Sequence, residues 1–251
     1  MKILIILCCY NEQDNIEGLI KAINVVLRNS KYCNPIFIIV DDGSEDKTYD
    51  SILSLKNHYP IELVRHEVNL GFGISLRDGL NKVLNLCCTD DVVICLDADN
   101  SHRPFYILNL IRMIREGFDF VIASRYKCSS RTIGLSLFRR SISYFLSLFL
   151  RVTYPIKGVR DYTSGFRAIS GRALIDYRKS FGESFIIQEG FAATLEFLLK
   201  FSKLKHSYCE IPFILRYDMK RGESKMNLIE TIQSTLSVIK SNILGDFHHI
   251  S

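Results

Sequence analysis

Val92-Val93-Ile94-Cys95-Leu96-Asp97-Ala98-Asp99-Asn100-Ser101 is an apolar run that stops abruptly at two carboxylates spaced i, i+2. Along extended backbone that spacing sends both side chains to one face. Asp97 and Asp99 are therefore candidate ligands for Mg²⁺ or Mn²⁺, hard ions that accept few protein carboxylates and keep positions for phosphate oxygens. A strand running into an acidic turn would read the same way if it stood alone. It does not stand alone: Phe37-Ile38-Ile39-Val40 runs into Asp41-Asp42-Gly43-Ser44 in the same manner. Two such strand ends in one sheet define a pocket.

Working outward, the first half alternates two periodicities. Strand-like runs are 2–9, 35–40, 61–66, 92–96 and 118–123, and helix-like runs between them are 12–27, 46–57, 71–86 and 104–116. Apolar strands separated by helices predict an α/β fold, a mainly parallel sheet with helices on both faces. Ligands bind beyond the carboxyl ends of such strands. Asn11-Glu12, Asp41-Asp42 and Asp97/Asp99 all fall at that edge.

Composition narrows the class. The 251 residues carry a net charge of +5 and suit one domain of ordinary hydrophobic content. Met1-Lys2 leads straight into Ile3–Leu7, too short for a secretory leader, and no run of about 18 uninterrupted apolar residues occurs. The eight cysteines include the pairs Cys8-Cys9 and Cys87-Cys88 but no Cys-x-x-Cys. Reduced, mostly buried thiols of a cytosolic protein are expected. Gly71-Phe72-Gly73 lacks the third glycine of a dinucleotide fingerprint, and no phosphate-binding loop with Gly-Lys-[Ser/Thr] is present, which argues against a dehydrogenase or P-loop ATPase.

The second half is basic. Residues 125–179 hold twelve Lys and Arg against Asp161 and Asp176. Within it, Ile133–Val152 reads equally as an interfacial helix or as a buried core helix, and the basic neighbours favour a membrane surface. Leu228–Leu244 is a second amphipathic helix, able to pack on the domain, on a partner or on lipid. The modest excess charge sits beside a greasy helix rather than beside stacking aromatics, so nucleic acid is not expected as a partner.

Tyr10-Asn11-Glu12, Asp41-Asp42-Gly43-Ser44, Asn69-Leu70-Gly71, Asp97-Ala98-Asp99, Ser124-Arg125-Tyr126, Asp161–Arg167 and Arg216…Gly222-Glu223-Ser224-Lys225 occur in an order that resembles the inverting GT-A glycosyltransferases, specifically the dolichol-phosphate mannose synthase-like (polyprenyl-phosphate) hexosyltransferases. The resemblance covers residues 1–227. It implies a nucleotide-sugar half over 1–124, an acceptor half over 125–227, and the amphipathic helix within 228–251 as a C-terminal appendage.

Laid over these positions, the resemblance implies that Tyr10, Asn11 and Glu12, with Asp41 or Asp42, hold the nucleoside of a donor such as GDP-mannose or a UDP-hexose. Gly71 and Ala98 line that site. Asp97 and Asp99 carry Mg²⁺ or Mn²⁺ on the diphosphate, and Arg216 and Lys225 close over the phosphates. Arg125, Arg139 and Ser143 receive the acceptor lipid phosphate, and Asp97, Asp99, Arg125 and Arg216 form the catalytic set. The sequence departs from the family where Cys8-Cys9 replaces Pro-Thr and Ser101 replaces glutamine. The implied activity is inverting transfer of a hexose to a polyprenyl phosphate at the cytoplasmic face of a membrane, with a separate membrane-anchor protein or a second copy as further partner. The alternatives are a GT-A enzyme acting on a glycan or protein hydroxyl, and a non-catalytic nucleotide-binding relative. A processive polysaccharide synthase is disfavoured because the chain has no tryptophan for that family's acceptor motif.

The plainer readings stand beside these: residues 163–167 as a bend with Arg167 paired to Asp161, Asp42-Gly43 as only a turn, and Glu189 as orienting the acceptor or, the favoured reading, as a cap for a helix over 191–200.

Overall fold

The computed structural model describes residues 1–30, 35–220 and 228–244. In chain order the elements are β1 (Ile3–Cys9), α1 (Ile16–Arg28), β2 (Ile36–Asp42), α2 (Thr48–Lys56), β3 (Ile61–His66), α3 (Phe72–Leu84), β4 (Val92–Cys95), α4 (Tyr106–Arg115), β5 (Phe120–Ser124), β6 (Arg131–Ile133), α5 (Leu137–Thr153), β7 (Arg167–Ser170), α6 (Gly171–Phe181), α7 (Ala193–Phe201), β8 (Tyr208–Pro212), β9 (Ile214–Arg216) and α8 (Leu228–Leu244). Seven strands form one sheet in the order β3-β2-β1-β4-β7-β5-β8, while β6 and β9 form a separate parallel ribbon. Every pairing in the large sheet is parallel except those of β7, which runs against both β4 and β5.

The expected α/β architecture is present because the strands are apolar on both faces and both faces are covered. Leu4 and Ile6 of β1 enter one core with α3, α6 and α7, and Ile3, Ile5 and Leu7 enter the other with α1 and α4. The apolar positions of α1 (Ile16, Leu19, Ile20, Ile23, Leu27) recur at three- and four-residue steps and are all buried. Strand order reverses between β1 and β4, so the loops after these two strands diverge and leave a crevice.

The structure also departs from expectation. β2 extends through Asp42, so both aspartates end a strand rather than begin a turn. β7 has only Ala168 and Ile169 as apolar residues, too few to declare a strand by pattern. Instead, Arg167 is buried in it: Nε donates to the Ser164 carbonyl (2.6 Å), Nη1 to Thr194 (2.7 Å) and Nη2 to Tyr162 (2.9 Å). Burial pushes this guanidinium down to about 10, still protonated at neutral pH. It is Arg125, not Arg167, that pairs with Asp161. Two of the twelve basic residues of 125–179 thus turn inward.

α5 is not a core helix: of its seventeen residues only Ser147 and Leu150 are buried. α8 packs against the domain through Thr235, Val238 and Ile239, with the Tyr154 hydroxyl donating to the Ile239 carbonyl. Among the described residues no helix is long and apolar enough to cross a membrane. Their seven cysteines are all free, but Cys88 and Cys128 are exposed and only Cys9 and Cys95 are buried, so the thiols are not mostly interior.

Replacing Arg167 by Leu strands three buried carbonyls without donors, and a loss of about 3 kcal/mol in urea unfolding is expected. A loss under about 0.5 kcal/mol would show that these bonds do not anchor β7.

Candidate active site

The crevice is built from three loops that hydrogen-bond to one another. After β1, Asn11 adopts φ 52°, a left-handed conformation that a short amide side chain tolerates. Its N–H donates to Ser44 Oγ (3.0 Å) and its Oδ1 accepts from the Glu45 N–H (2.9 Å). The Glu12 N–H donates to Thr48 Oγ1 (2.7 Å), while its buried carboxylate accepts from Asn15 Nδ2 (2.6 Å). Asn15 Oδ1 in turn accepts from Asn100 Nδ2 (2.9 Å) in the loop after β4. Asn11 and Glu12 therefore brace the site, and the half-buried Tyr10 stands between them and the strand.

The two aspartates of β2 divide their work. Asp42 accepts from the Leu70 and Gly71 N–H groups (2.9 Å each) and contacts His66 Nδ1 (2.7 Å). His66 Nε2 lies 3.1 Å from Asp78 Oδ2. Asp42 is thereby committed to holding the 69–71 turn. Gly43 is required beside it: at φ +69° a Cβ would collide with the Val68 backbone. Asp41 is wholly buried. Its Oδ1 accepts from the Ser44 N–H (3.3 Å), and its Oδ2 has no hydrogen-bond partner. The nearest cation to that oxygen is Arg65 Nε at 3.9 Å, with the guanidinium lying over the Tyr49 ring. Of the two, Asp41 has the unused acceptor.

Gly71 immediately precedes α3 at φ +98°, where a Cβ would stand 2.7 Å from the Glu189 carbonyl oxygen. That carbonyl accepts from the Gly73 N–H, and Phe72 stacks on Phe191 at 5.1 Å. Glu189 does not cap the following helix, which begins at Ala193 without a side-chain cap. Glu196 does the ordering instead. Its buried carboxylate accepts from the Ile187 (3.0 Å) and Gln188 (2.8 Å) N–H groups and pairs with Lys200 at 2.6 Å.

Asp97 and Asp99 flank the buried Ala98 just beyond β4. The Asp97 N–H donates to His102 Nδ1 (3.1 Å), which leaves the neutral ring's proton on Nε2, 3.7 Å from Asp97 Oδ2. His102 is itself clamped, stacked on Phe166 at 5.0 Å and edge-on to Phe213 at 5.7 Å. Asp97 keeps 43% of its side chain exposed to the cleft, yet protein closes around it enough for desolvation, aided by Asp99, to push its carboxyl up. Burial acts on Asp99 in the same direction but is outweighed by Lys220 and the Ser101 hydroxyl, which hold that carboxyl below the ordinary range; the Ser101 N–H also donates to Asp99 Oδ1 (3.0 Å). Lys220 Nζ sits 2.9 Å from Asp99 Oδ2.

Among the described residues no three His, Cys, Asp or Glu side chains form a closed metal cage. Two carboxylates, one of them held ionised, suit a hard divalent ion that keeps open positions, and the donor set fits Mg²⁺ or Mn²⁺. Arg216 is not brought to these carboxylates. Its guanidinium is gripped by Asp218 at 2.8 Å through two bonds, although its backbone N–H reaches the Ser101 carbonyl (3.0 Å). Lys225 lies outside the described residues.

Arg125 spends Nε and Nη2 on Asp161 (2.8 and 2.7 Å) and Nη2 also on Thr163 Oγ1 (2.6 Å). Burial opposes its charge, but the Asp161 carboxylate overrides this and pushes the guanidinium pKa up. Tyr126, its neighbour, meets Ser143 through a hydroxyl–hydroxyl contact of 2.8 Å. Arg139, one turn before Ser143 on α5, is half-buried. Ser143 is thus joined to the residue after Arg125, and Arg139 precedes Ser143 by one helical turn.

Sequence reasoning overlooked Lys220, His102 and Glu196. His102 directly follows the acidic motif and was open to inspection. Lys220 is one of two adjacent bases, and Glu196 lies on a helix whose residues are all buried, where only a tertiary contact explains a carboxylate.

Comparison with known proteins bears on the family and the fold. Dolichol-phosphate mannosyltransferase of Pyrococcus furiosus is 30% identical over 230 residues, covering 90% of this chain and 59% of that protein, so this chain spans about three-fifths of its length. UDP-N-acetylglucosamine--dolichyl-phosphate N-acetylglucosaminyltransferase of Methanococcus voltae is 29% identical over 243 residues, 89% of this chain and 90% of that one. The crystal structure of glucosyl-3-phosphoglycerate synthase from Mycobacterium tuberculosis, in complex with Mn²⁺, uridine diphosphate and phosphoglyceric acid, superimposes with a TM-score of 0.64 at 19% identity over 96% of this chain and 78% of its own. At that identity the likeness speaks for the GT-A fold alone. The pattern described as Glycosyl transferase family 2 matches residues 4–178, and this chain belongs to that family of glycosyltransferases.

Proposed function

We propose that the chain transfers a hexose from a nucleoside-diphosphate sugar to a polyprenyl phosphate, with inversion at the anomeric carbon. The observation that carries this reading is the junction of an acidic crevice with a basic, greasy flank. Asp97 and Asp99 stand at the switch point of the sheet, and the Arg125–Tyr126–Ser143 group leads from them onto α5. The names of the Pyrococcus and Methanococcus relatives support a dolichyl-phosphate acceptor.

In this reading the unused Oδ2 of Asp41 accepts a ring N–H of the nucleobase, which satisfies a buried carboxylate oxygen that otherwise lacks a hydrogen bond. Asn11 and Glu12 keep the surrounding loops in place. Asp97 and Asp99 hold Mg²⁺ or Mn²⁺ at the diphosphate. The ion supplies charge neutralisation for the departing nucleoside diphosphate. A lipid phosphate monoester is already largely anionic at neutral pH, so no carboxylate is needed to deprotonate it. Arg139 and Ser143, steadied by Tyr126, orient the phosphate, and Arg125 keeps the floor of that subsite rigid through Asp161. One in-line displacement turns an α-linked donor into a β-linked product.

α5 supports residence on the cytoplasmic face of a membrane as a peripheral protein. Leu137 (79% exposed), Phe138 (70%) and Phe145 (64%) project outward with Phe149 and Val152, flanked by Arg139, Arg140 and Arg151. Such a face buries shallowly at the headgroup boundary, and each cation near anionic lipid adds about 1 kcal/mol.

Two measurements test this. With Mn²⁺ and radiolabelled GDP-mannose, UDP-glucose and UDP-N-acetylglucosamine in turn, transfer to polyprenyl phosphate is expected and transfer to the free polyprenol is not. Asp99→Asn lowers kcat/KM by about a thousandfold or more, and Asp41→Asn weakens nucleotide binding about tenfold while kcat changes less. Full transfer activity in Asp99→Asn refutes the assignment. In cosedimentation with vesicles of phosphatidylglycerol and phosphatidylcholine, Phe138→Ser with Phe145→Ser reduces binding more than tenfold, each lost phenyl being worth about 1.5–3 kcal/mol when buried. Equal sedimentation of the double variant removes α5 from the interface.

A further inference from the structure

Lys220 is a charge that the sequence reading did not use, and its position relative to the acidic pair is specific. Arg216 is pinned through its backbone to the Ser101 carbonyl, and its guanidinium is locked on Asp218. Gly134 makes room for this turn, since a Cβ there would collide with the Asp218 backbone. The turn ends with the Lys220 N–H on the Tyr217 carbonyl (3.3 Å), and the side chain then runs back into the cleft to Asp99. Both partners are sheltered, with 13% of the Lys220 and 9% of the Asp99 side chain exposed. The other cations nearby are otherwise engaged: Arg125 on Asp161, Arg216 on Asp218. Among the described residues Lys220 is thus the cation on Asp99.

We infer that Lys220 and the divalent ion compete for Asp99 Oδ2, so that donor and metal bind together rather than separately. This rests on the assignment of Asp97 and Asp99 as the metal-binding pair. An ammonium at 2.9 Å cancels much of the negative potential that would draw a cation to this carboxylate, and a metal must displace it. The diphosphate of a donor offers the displaced ammonium another anionic partner within the same cleft. Nucleotide therefore lowers the cost of freeing Asp99, and by reciprocity bound metal raises affinity for nucleotide. Lys220 is in this scheme a coupling residue: it suppresses binding of metal alone and favours binding of the pair.

Lys220→Met keeps the aliphatic stem and removes the charge; Lys220→Arg keeps the charge. Binding of Mn²⁺ alone is read from the free-ion electron paramagnetic resonance signal, then repeated with UDP and with GDP. Expected is a Mn²⁺ affinity about tenfold higher in Lys220→Met than in the natural chain, with Lys220→Arg close to the natural chain, a shift within the usual range for coupled sites. The factor by which nucleotide improves Mn²⁺ binding should shrink by a similar amount in Lys220→Met. A purely structural ion pair predicts the opposite, a variant that is less stable and no better at holding Mn²⁺. Unchanged or weaker Mn²⁺ binding in Lys220→Met, including no detectable binding to either protein, overturns the inference. The reading beneath it fails differently: Asp99→Asn would then bind Mn²⁺, with or without nucleotide, as well as the natural chain does. Should Lys220→Met not fold, Lys220→Gln serves the same comparison.

Discussion

The register of β1 between β2 and β4 governs everything at the crevice. Cys8 pairs with Val40 and Cys9 with Asp41 on one side, and Ile6 pairs with Cys95 on the other. These pairings bring the three strands to their carboxyl ends at nearly one level, so the loops that follow must meet. A shift of one residue in any of them would send every side chain into the opposite core, and the close packing of each core against its own helices opposes it. The acidic edge is held in place by hydrophobic packing several residues away.

Once the loops meet, they satisfy their polar groups against one another. Asn11 binds Ser44 and Glu45, Glu12 binds Asn15, and Asn15 binds Asn100. Such cross-links make the site a rigid cup before any ligand arrives, which lowers the ordering cost of binding. The electrostatics are equally arranged. Two carboxylates two residues apart sit in different surroundings: burial pushes Asp97 up, while Lys220 holds Asp99 below the ordinary range.

Much of this was legible in the sequence because it depends on periodicity and local chemistry. The alternation of apolar strands and amphipathic helices, the acidic strand ends and the ordered set of family motifs each leave a local trace. What escaped depends on tertiary context. β7 is four residues long and contains an arginine that is stable there only because three carbonyls converge on it. The division between Asp41 and Asp42 follows from which of them the 70–71 turn approaches, and no spacing reveals that. Arg216 carries the motif position, yet a neighbouring aspartate captures it and leaves Lys220 to reach the cleft. The exposed face of α5 could not be told from a core face by composition, since an aromatic- and leucine-rich stripe suits either environment.

The small β6–β9 ribbon has a mechanical consequence. Arg131 pairs with Ile214, Thr132 with Leu215 and Ile133 with Arg216. Four residues after β6 the chain enters α5, and four residues after β9 it delivers the Lys220 ammonium to Asp99. The ribbon thus ties the entry to the exposed helix α5 and the loop that carries the cleft's cation to one pair of strands. Both segments leave the same end of one short ribbon, so their starting points are fixed relative to each other by its three paired residues.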